Sequence, residues 1–537
     1  MTSLFRAIIF VTGGAIIALE LLASRIMTPY FGVSLYIWTG ILSITLIALA
    51  LGYWLGGRIA GGVAAERLIA MFLGLPAIAA LAIAAACLVY PWVFYALAAM
   101  NLVLGAFIAC LVLLFVPLVA TSALNPLLIA IEGAQRTRLA DAGAGRVLFI
   151  STAGSVAGVL ITAFGLIPHV SNYAAALLVG AVLGSLTLAA PYLLPTPPAH
   201  RGRLVLTGAA ATAACLTLLA LADTLLGRTA MVLHEDRLWQ VERSYGSLFG
   251  TVKVLRAAEP AAPDRYMRYF FQDGIVQNRV DAQGTSLTLF TYALEAIAMG
   301  YRPEAKSALM LGLGAGVVPM RLARQGVDVE IVEINPAAWQ AAEAYFGFEP
   351  ARFRNHLEDA RGFVRGCGRR GESERHDLAL VDLFQGDGTP EYLTTREFFR
   401  DLRLCLKPGG AAVFNTFADM SNLPSYAHLL TTLKAEFATV LMFRGDASPG
   451  AQINSFLLAT NGPTAASVAL AQPDLPASLD ADFRWALGRP RLVDRALLAG
   501  GEVVTDAYNF LSSANARTYL SYRRSVHGAF PRPFLVN

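Results

Sequence analysis

Apolar residues run almost unbroken through roughly the first 225 positions and then give way to short alternating patterns. A helix that crosses a bilayer needs about 20 mostly apolar residues. Runs of that kind lie near 7–27, 35–57, 68–89, 93–120, 147–167, 171–194 and 204–222, which predicts seven membrane spans. The first run lacks a small-residue cleavage site and leads directly into the second, so it reads as a retained helix and not as a signal peptide. Within it, Glu20 and Arg25 are ionisable groups at a costly depth, read first as a structural pair. Asn125-Pro126, set among apolar residues, reads as an elbow.

From about Arg237 the pattern shortens to segments rich in Val, Tyr and Phe, at Gly250 to Leu255, Tyr266 to Gln272 and Ile275 to Val280. Turn residues separate them, as in hairpins. Beyond Ser307, strands at Ala308 to Leu311, Val329 to Val332, Leu378 to Val381 and Ala412 to Asn415 alternate with helices starting near Val317, Pro336 and Thr395. That alternation predicts a parallel, doubly wound α/β sheet. The expected organisation is a multi-pass membrane domain over 1–225, a β-rich segment over 226–300, an α/β domain over 301–462 and a carboxyl-terminal extension over 463–537.

Composition sharpens this picture. Of the 537 residues, 56% are hydrophobic and 15% charged, against about 45–50% and 25% in soluble proteins. A net charge of +4, with no basic stripe interleaved with aromatics, leaves nucleic-acid binding without support. Cytoplasmic loops carry the excess of Lys and Arg. Arg6, Arg58, Arg67, Arg136, Arg138, Arg146, Arg201 and Arg203 all fall on one side of the alternating spans, so the amino terminus is expected in the cytoplasm, with the protein in the cell (inner) membrane. Seven spans then put the soluble half outside the cytoplasm. An extra segment near Ala123 to Ile131 would reverse the count. The five cysteines form no CxxC and no Cys/His cluster, so neither a disulfide framework nor a metal site is expected.

Candidate chemistry sits at the strand ends. The first strand of the α/β region runs into Gly312-Leu313-Gly314-Ala315-Gly316 and then a helix, a turn that lets a ligand approach the backbone. Glu333 ends the next strand about 20 residues on, where a carboxylate can accept from both hydroxyls of a ribose. Asp359 follows the third strand and could take an adenine amino group. Asp382 ends the fourth, facing a ligand's reactive end. Singly, each carboxylate could equally be a helix cap or a solvated loop group; the set favours a nucleoside site.

These residues resemble the spermidine synthase (polyamine aminopropyltransferase) family, in the branch fused to membrane helices. The resemblance rests on Gln272-Asp273-Gly274-Ile275-Val276-Gln277, on Tyr292, on the Gly312 to Gly316 turn, on Val332-Glu333-Ile334-Asn335, on Glu358-Asp359, on Asp382, and on Thr389 to Phe399. In the membrane half, Glu20 to Arg25 and Leu51 to Arg58 are similar too. It implies a class I methyltransferase-type Rossmann-like fold with a small β-hairpin subdomain, and transfer of an aminopropyl group from decarboxylated S-adenosylmethionine to a putrescine-like amine. Gln277, Tyr292, Gly312, Gly314, Gly316, Glu333, Glu358 and Asp359 would hold the nucleoside, Asp382 would act as base, and Asp387 and Tyr245 would hold the acceptor. The implied partners are the lipid bilayer and a small amine, with a homodimer as an option, and no metal.

The departures cluster at the amine end. The family's GGGDG acid is replaced by Ala315, its acidic loop by Asp382-Leu383-Phe384-Gln385-Gly386-Asp387-Gly388, and its Tyr-Gln pair by Tyr245-Gly246. A methyltransferase using intact S-adenosylmethionine is therefore the main rival reading. A transporter or sensor that only binds a nucleoside is the third.

Overall fold

The computed structural model describes residues 2–537 apart from 34, 136–139, 197, 199, 228–230, 385, 387, 420–422, 445–451, 463–467, 469 and 489. Arg136, Arg138, Gln385 and Asp387 thus lie outside the described residues. The chain forms two compact units, one comprising Met1–Met231 with Phe530–Asn537, the other Val232–Ala529.

Among the described residues the first unit has seven helices long and apolar enough to cross a membrane: Ser3–Phe31, Leu35–Ala60, Glu66–Ala98, Leu102–Gly133, Gly143–Leu166, Asn172–Leu193 and Arg201–Ala220. The third runs through Pro91 to Ala98, later than expected. Packed helices tolerate an internal proline where neighbours satisfy the freed backbone groups, and the break comes instead at Asn101, whose side chain accepts from Val103 N at 3.0 Å and so caps the next helix. The segment considered as an extra span, Ala123 to Ile131, belongs to the fourth. Its one irregularity there is a turn at Ala123, before a helix restarts at Leu124–Gln135.

Small residues let the first and fifth of these helices touch. A Cβ at Gly154 would come within 1.9 Å of Phe10 O, and one at Gly158 within 2.3 Å of Gly14 O. Between apolar helices in lipid such close packing supplies the attraction that the hydrophobic effect cannot. Arg6 and Glu132 pair at 3.3 Å. The last eight residues dock on this unit: Tyr173 N donates to Asn537 O at 2.8 Å and the Arg532 guanidinium lies over the Tyr95 ring at 4.5 Å.

The second unit opens with a five-stranded antiparallel meander, β1 (Val232–His234), β2 (Arg237–Ser247), β3 (Gly250–Glu259), β4 (Ala262–Gln272) and β5 (Ile275–Asp281). An eight-stranded sheet follows, built from β6 (Ser307–Leu311), β7 (Asp328–Val332), β8 (Arg354–His356), β9 (His376–Val381), β10 (Leu406–Asp419), β11 (Thr439–Phe443), β12 (Gln452–Thr460) and β13 (Arg491–Leu492). Its order is β13-β11-β12-β10-β9-β6-β7-β8. The five strands from β10 to β8 are parallel, but β12 runs antiparallel between β10 and β11. The sheet is therefore mixed, not wholly parallel, because β12 lies antiparallel to both of its neighbours, β10 and β11.

Residues alternate between two covered faces. Ala308 and Met310 of β6 point into the core under the helix Leu289–Tyr301, while Leu309 and Leu311 point into the core under Arg396–Leu404. That period of two on a sheet covered on both sides is why the strands read as continuous apolar runs. Contrary to the expectation from spacing, Cys367 and Cys405 form a disulfide with Cα atoms 4.9 Å apart. They sit at the ends of two helices, Ala360–Cys367 and Arg396–Leu404, that pack side by side.

Candidate functional site

The carboxyl ends of β6, β7 and β9 converge on one cavity of about 160 Å³ in the second unit. The turn after β6 forms its floor. Gly312, Gly314 and Gly316 all have positive φ, at 91°, 54° and 75°, a region open to glycine and strained for other residues. Two of them have separable tasks. A Cβ at Gly312 would lie 2.2 Å from Asp382 O, so that glycine lets the turn lie against the end of β9, while a Cβ at Gly314 would meet nothing within 4 Å. Gly314 thus presents bare backbone to the cavity.

Glu333 reaches in from the end of β7. Its Oε2 accepts from Leu313 N at 2.9 Å and its Oε1 from Asn335 N at 2.7 Å. Burial pushes this carboxyl above its ordinary range, and backbone N–H groups of Leu313, Asn335, Ile334 and Gly314 oppose the shift. Each oxygen retains a lone pair, so a carboxylate fixed in this way can still accept two ligand hydroxyls.

Asp382 ends β9 on the cavity wall. Burial, reinforced by the charge of Glu333 and partly offset by a hydrogen bond from Asn415, raises its carboxyl to about 6. Asp359 stands across the site. Its carboxylate makes no cap for the helix it precedes and instead accepts from the Tyr392 hydroxyl at 3.1 Å; burial and that charge push the Tyr392 phenol up to about 12.

Of the residues expected from the sequence, Gln277, Gly312, Gly314, Glu333, Asp359 and Asp382 line the cavity together. Four others stand elsewhere. Gly316 begins the next helix behind the turn. Tyr292 is wholly buried, donating to Ser286 O at 2.8 Å beneath the Arg321 guanidinium. Glu358 points outward, 3.6 Å from His356 Nδ1. Tyr245 packs near the helix Pro336–Tyr345 in a cluster with Val317 and is not among the residues that line the cavity. Asp387 lies outside the described residues.

The sequence reading missed a clamp. Gln277 Nε2 donates to Gly386 O at 2.6 Å, and the helix Leu511–His527 covers the same loop. A Cβ at Gly388 would meet the Tyr519 ring at 2.5 Å, while Arg523, fully buried, donates to Asp273 O at 2.6 Å. Tyr392 lies within the segment Thr389 to Phe399, whereas Tyr519 and Arg523 belong to no motif and come to the site only once the chain has folded back.

No family model matches the chain. It is 36% identical over 147 residues to the polyamine aminopropyltransferase of Vibrio vulnificus, covering 27% of this chain and 48% of that one. Over this stretch the chain is similar in sequence to polyamine aminopropyltransferases. A second polyamine aminopropyltransferase, from Nitrosomonas europaea, is 28% identical over 146 residues, 26% of this chain and 43% of that one. The N-terminal histidine N-methyltransferase of Emericella nidulans is 36% identical over 143 residues, 27% of this chain and 25% of that one. The chain thus spans less than half the length of these relatives. Among solved structures, a probable spermidine synthase from Corynebacterium glutamicum aligns at 18% identity and a TM-score of 0.39, over 49% of this chain and 96% of that one.

Proposed function

We propose that this spermidine synthase-like protein is a membrane-anchored transferase that moves an aminopropyl group from decarboxylated S-adenosylmethionine to an amine. The observation that carries the reading is the place of Asp382: a buried carboxylate raised to about 6, at the carboxyl edge of the sheet beside a glycine turn and Glu333. The amine nitrogen attacks the methylene next to the sulfonium, the C–S electron pair returns to sulfur, and a neutral thioether leaves without acid help. The amine must lose a proton and be held in line, and Asp382 would do both. Glu333 would take the ribose hydroxyls, Asp359 the adenine amino group, and the bare backbone at Gly314 the nucleoside's close approach.

One observation favours a second reading, methyl transfer from intact S-adenosylmethionine. Ala315 stands where the family's donor-binding acid would be and is buried among Val252, Val254 and Phe270, so that position offers no partner for a donor ammonium. The methyltransferase relative agrees with it. Mass spectrometry of products after the purified full chain is incubated with decarboxylated and with intact donor, plus a panel of amines, separates the two. An acceptor heavier by an aminopropyl group, with methylthioadenosine released, is the expected result; a methylated product would transfer the assignment to the second reading.

The anchor is proposed to lie in the cell membrane with the amino terminus in the cytoplasm. Support comes from the Arg-rich loops on one side, and from seven candidate spans with no eighth among the described residues.

A further inference from the structure

Behind the candidate site lies a second cavity of about 70 Å³. It shares Leu383, Phe384 and Leu393 with the first, so these three side chains form the wall between the two. Asp382 faces the first cavity and Asn415 the second, and Asn415 Nδ2 donates to Asp382 Oδ1 at 2.9 Å. One hydrogen bond therefore joins the proposed base to the floor of the other chamber.

The lining of the second chamber is chemically specific. Phe414 and Phe417 supply ring faces, and Tyr426, Ser425 and Asn515 supply hydroxyl and amide groups. These polar groups are already ordered. The Tyr426 hydroxyl donates to Ser455 Oγ at 2.9 Å and lies 2.9 Å from Thr416 Oγ1, and Ser425 donates to Asn515 Oδ1. Among the described residues that line it there is no carboxylate and no cation. A buried ammonium without a counter-charge is penalised by several kcal/mol, whereas a neutral aromatic or hydroxylated body would meet rings and hydrogen-bonding groups suited to it.

We infer that this second chamber holds the body of the acceptor, and that the acceptor is an amine carried on a neutral, aromatic skeleton. The inference rests on the aminopropyl-transfer reading and narrows it. The amine end passes the Leu383–Phe384 wall to reach Asp382, which takes its proton. The nitrogen bonds to the donor's methylene as the C–S bond breaks toward sulfur, leaving a secondary amine and the thioether. The helix Leu511–His527 supplies Asn515 to the chamber and Tyr519 to the loop in front of it, which gives the carboxyl-terminal extension a part in selecting the acceptor.

The test uses the full chain in detergent with decarboxylated S-adenosylmethionine and two probes, phenethylamine and putrescine. Wild type is expected to aminopropylate phenethylamine with a kcat/KM at least tenfold that for putrescine. Leu429→Trp, which fills the chamber from its helix side, should lower that value at least tenfold while methylthioadenosine affinity by calorimetry stays within twofold. Thr518→Trp fills it from the opposite side and is the second variant should the first not fold. A preference for putrescine, or phenethylamine turnover indifferent to both plugs, would overturn the acceptor assignment and leave aminopropyl transfer standing. Product from neither amine, with methylthioadenosine still bound, would overturn both.

Discussion

Asn415 Nδ2 donates to Asp382 Oδ1 at 2.9 Å across neighbouring strands. β10 lies parallel to β9 with Phe414 level with Val381, so the next residue on each strand faces its counterpart at the sheet edge. Asn454 Nδ2 in turn donates to Asn415 Oδ1 at 3.1 Å, which fixes the orientation of the Asn415 amide. A base held at a set angle is worth more than one free to rotate.

The first prediction follows from that pair. Asp382 has its carboxyl raised to about 6, chiefly by burial, so as a base it should give a kcat/KM that rises with pH through about 6 and is flat above. Asp382→Asn keeps the shape and should lose about 10²–10⁴-fold in turnover, with methylthioadenosine binding unchanged. Asn415→Ala removes the hydrogen bond that lowers the carboxyl, so its acid limb should move to higher pH. The sign for stability is the opposite of that for activity. A carboxyl with a raised folded value stabilises the fold most below its unfolded value near 4, and that contribution is lost as pH rises through about 6. An unshifted limb in Asn415→Ala would remove Asn415 as a positioning residue.

Glu333 is predicted to bind the nucleoside. Its replacement by Ala removes an acceptor for two ligand hydroxyls and also frees Leu313 N and Asn335 N. Methylthioadenosine affinity should fall by about 1.5–3 kcal/mol, the range for hydrogen bonds to a charged group, read by calorimetry. Equal affinity in the variant would place the ribose elsewhere.

Much of this was legible in the chain. Seven apolar runs appear as seven helices, and the strand-end carboxylates Glu333, Asp359 and Asp382 meet in one cavity because every parallel strand presents its carboxyl end to the same edge. What stayed hidden depends on long-range pairing. β12 carries no local mark of inserting between β10 and β11, and the Cys367–Cys405 pair bridges 38 residues of sequence. Tyr245 could not be assigned to a face without the register of β2. Arg523 reaches Asp273 across 250 positions, and no spacing rule connects them.

A buried charge cluster gives a prediction about stability. Glu330 of β7 holds His356 Nε2 at 2.8 Å, His376 Nε2 at 2.9 Å and Arg370 Nη1 at 3.1 Å. Burial pulls its carboxyl upward, but His376, Arg370 and Arg354 outweigh this and hold it at about 2. Its stabilising contribution should then be present above the ordinary carboxyl range and lost as pH falls toward 2. Glu330→Gln takes the charged acceptor away from Arg370 and the two histidines, and a hydrogen bond to a charged group is worth about 1.5–3 kcal/mol. Thermal melts at pH 7 should show the variant well below wild type, the gap narrowing below about pH 4. A gap that does not depend on pH would mean the side chain acts by packing alone.

The last prediction concerns the side of the membrane. Seven spans and an amino terminus on the Arg-rich side put the soluble unit outside the cytoplasm. The Cys367–Cys405 bond is independent of that count and agrees with it, because disulfides persist in oxidising compartments and are rare where thiols are kept reduced. Two measurements follow. A reporter fused after Thr224 should be active outside the cytoplasm, and protein denatured in detergent without reductant should show three reactive thiols, from Cys87, Cys110 and Cys215. Loss of the bond in Cys367→Ser should lower stability by about 2–4 kcal/mol. A cytoplasmic reporter together with five free thiols would turn the soluble unit inward, where a nucleoside donor is at hand; an external one would require that donor to be supplied across the membrane, and would place a transport step ahead of the transfer.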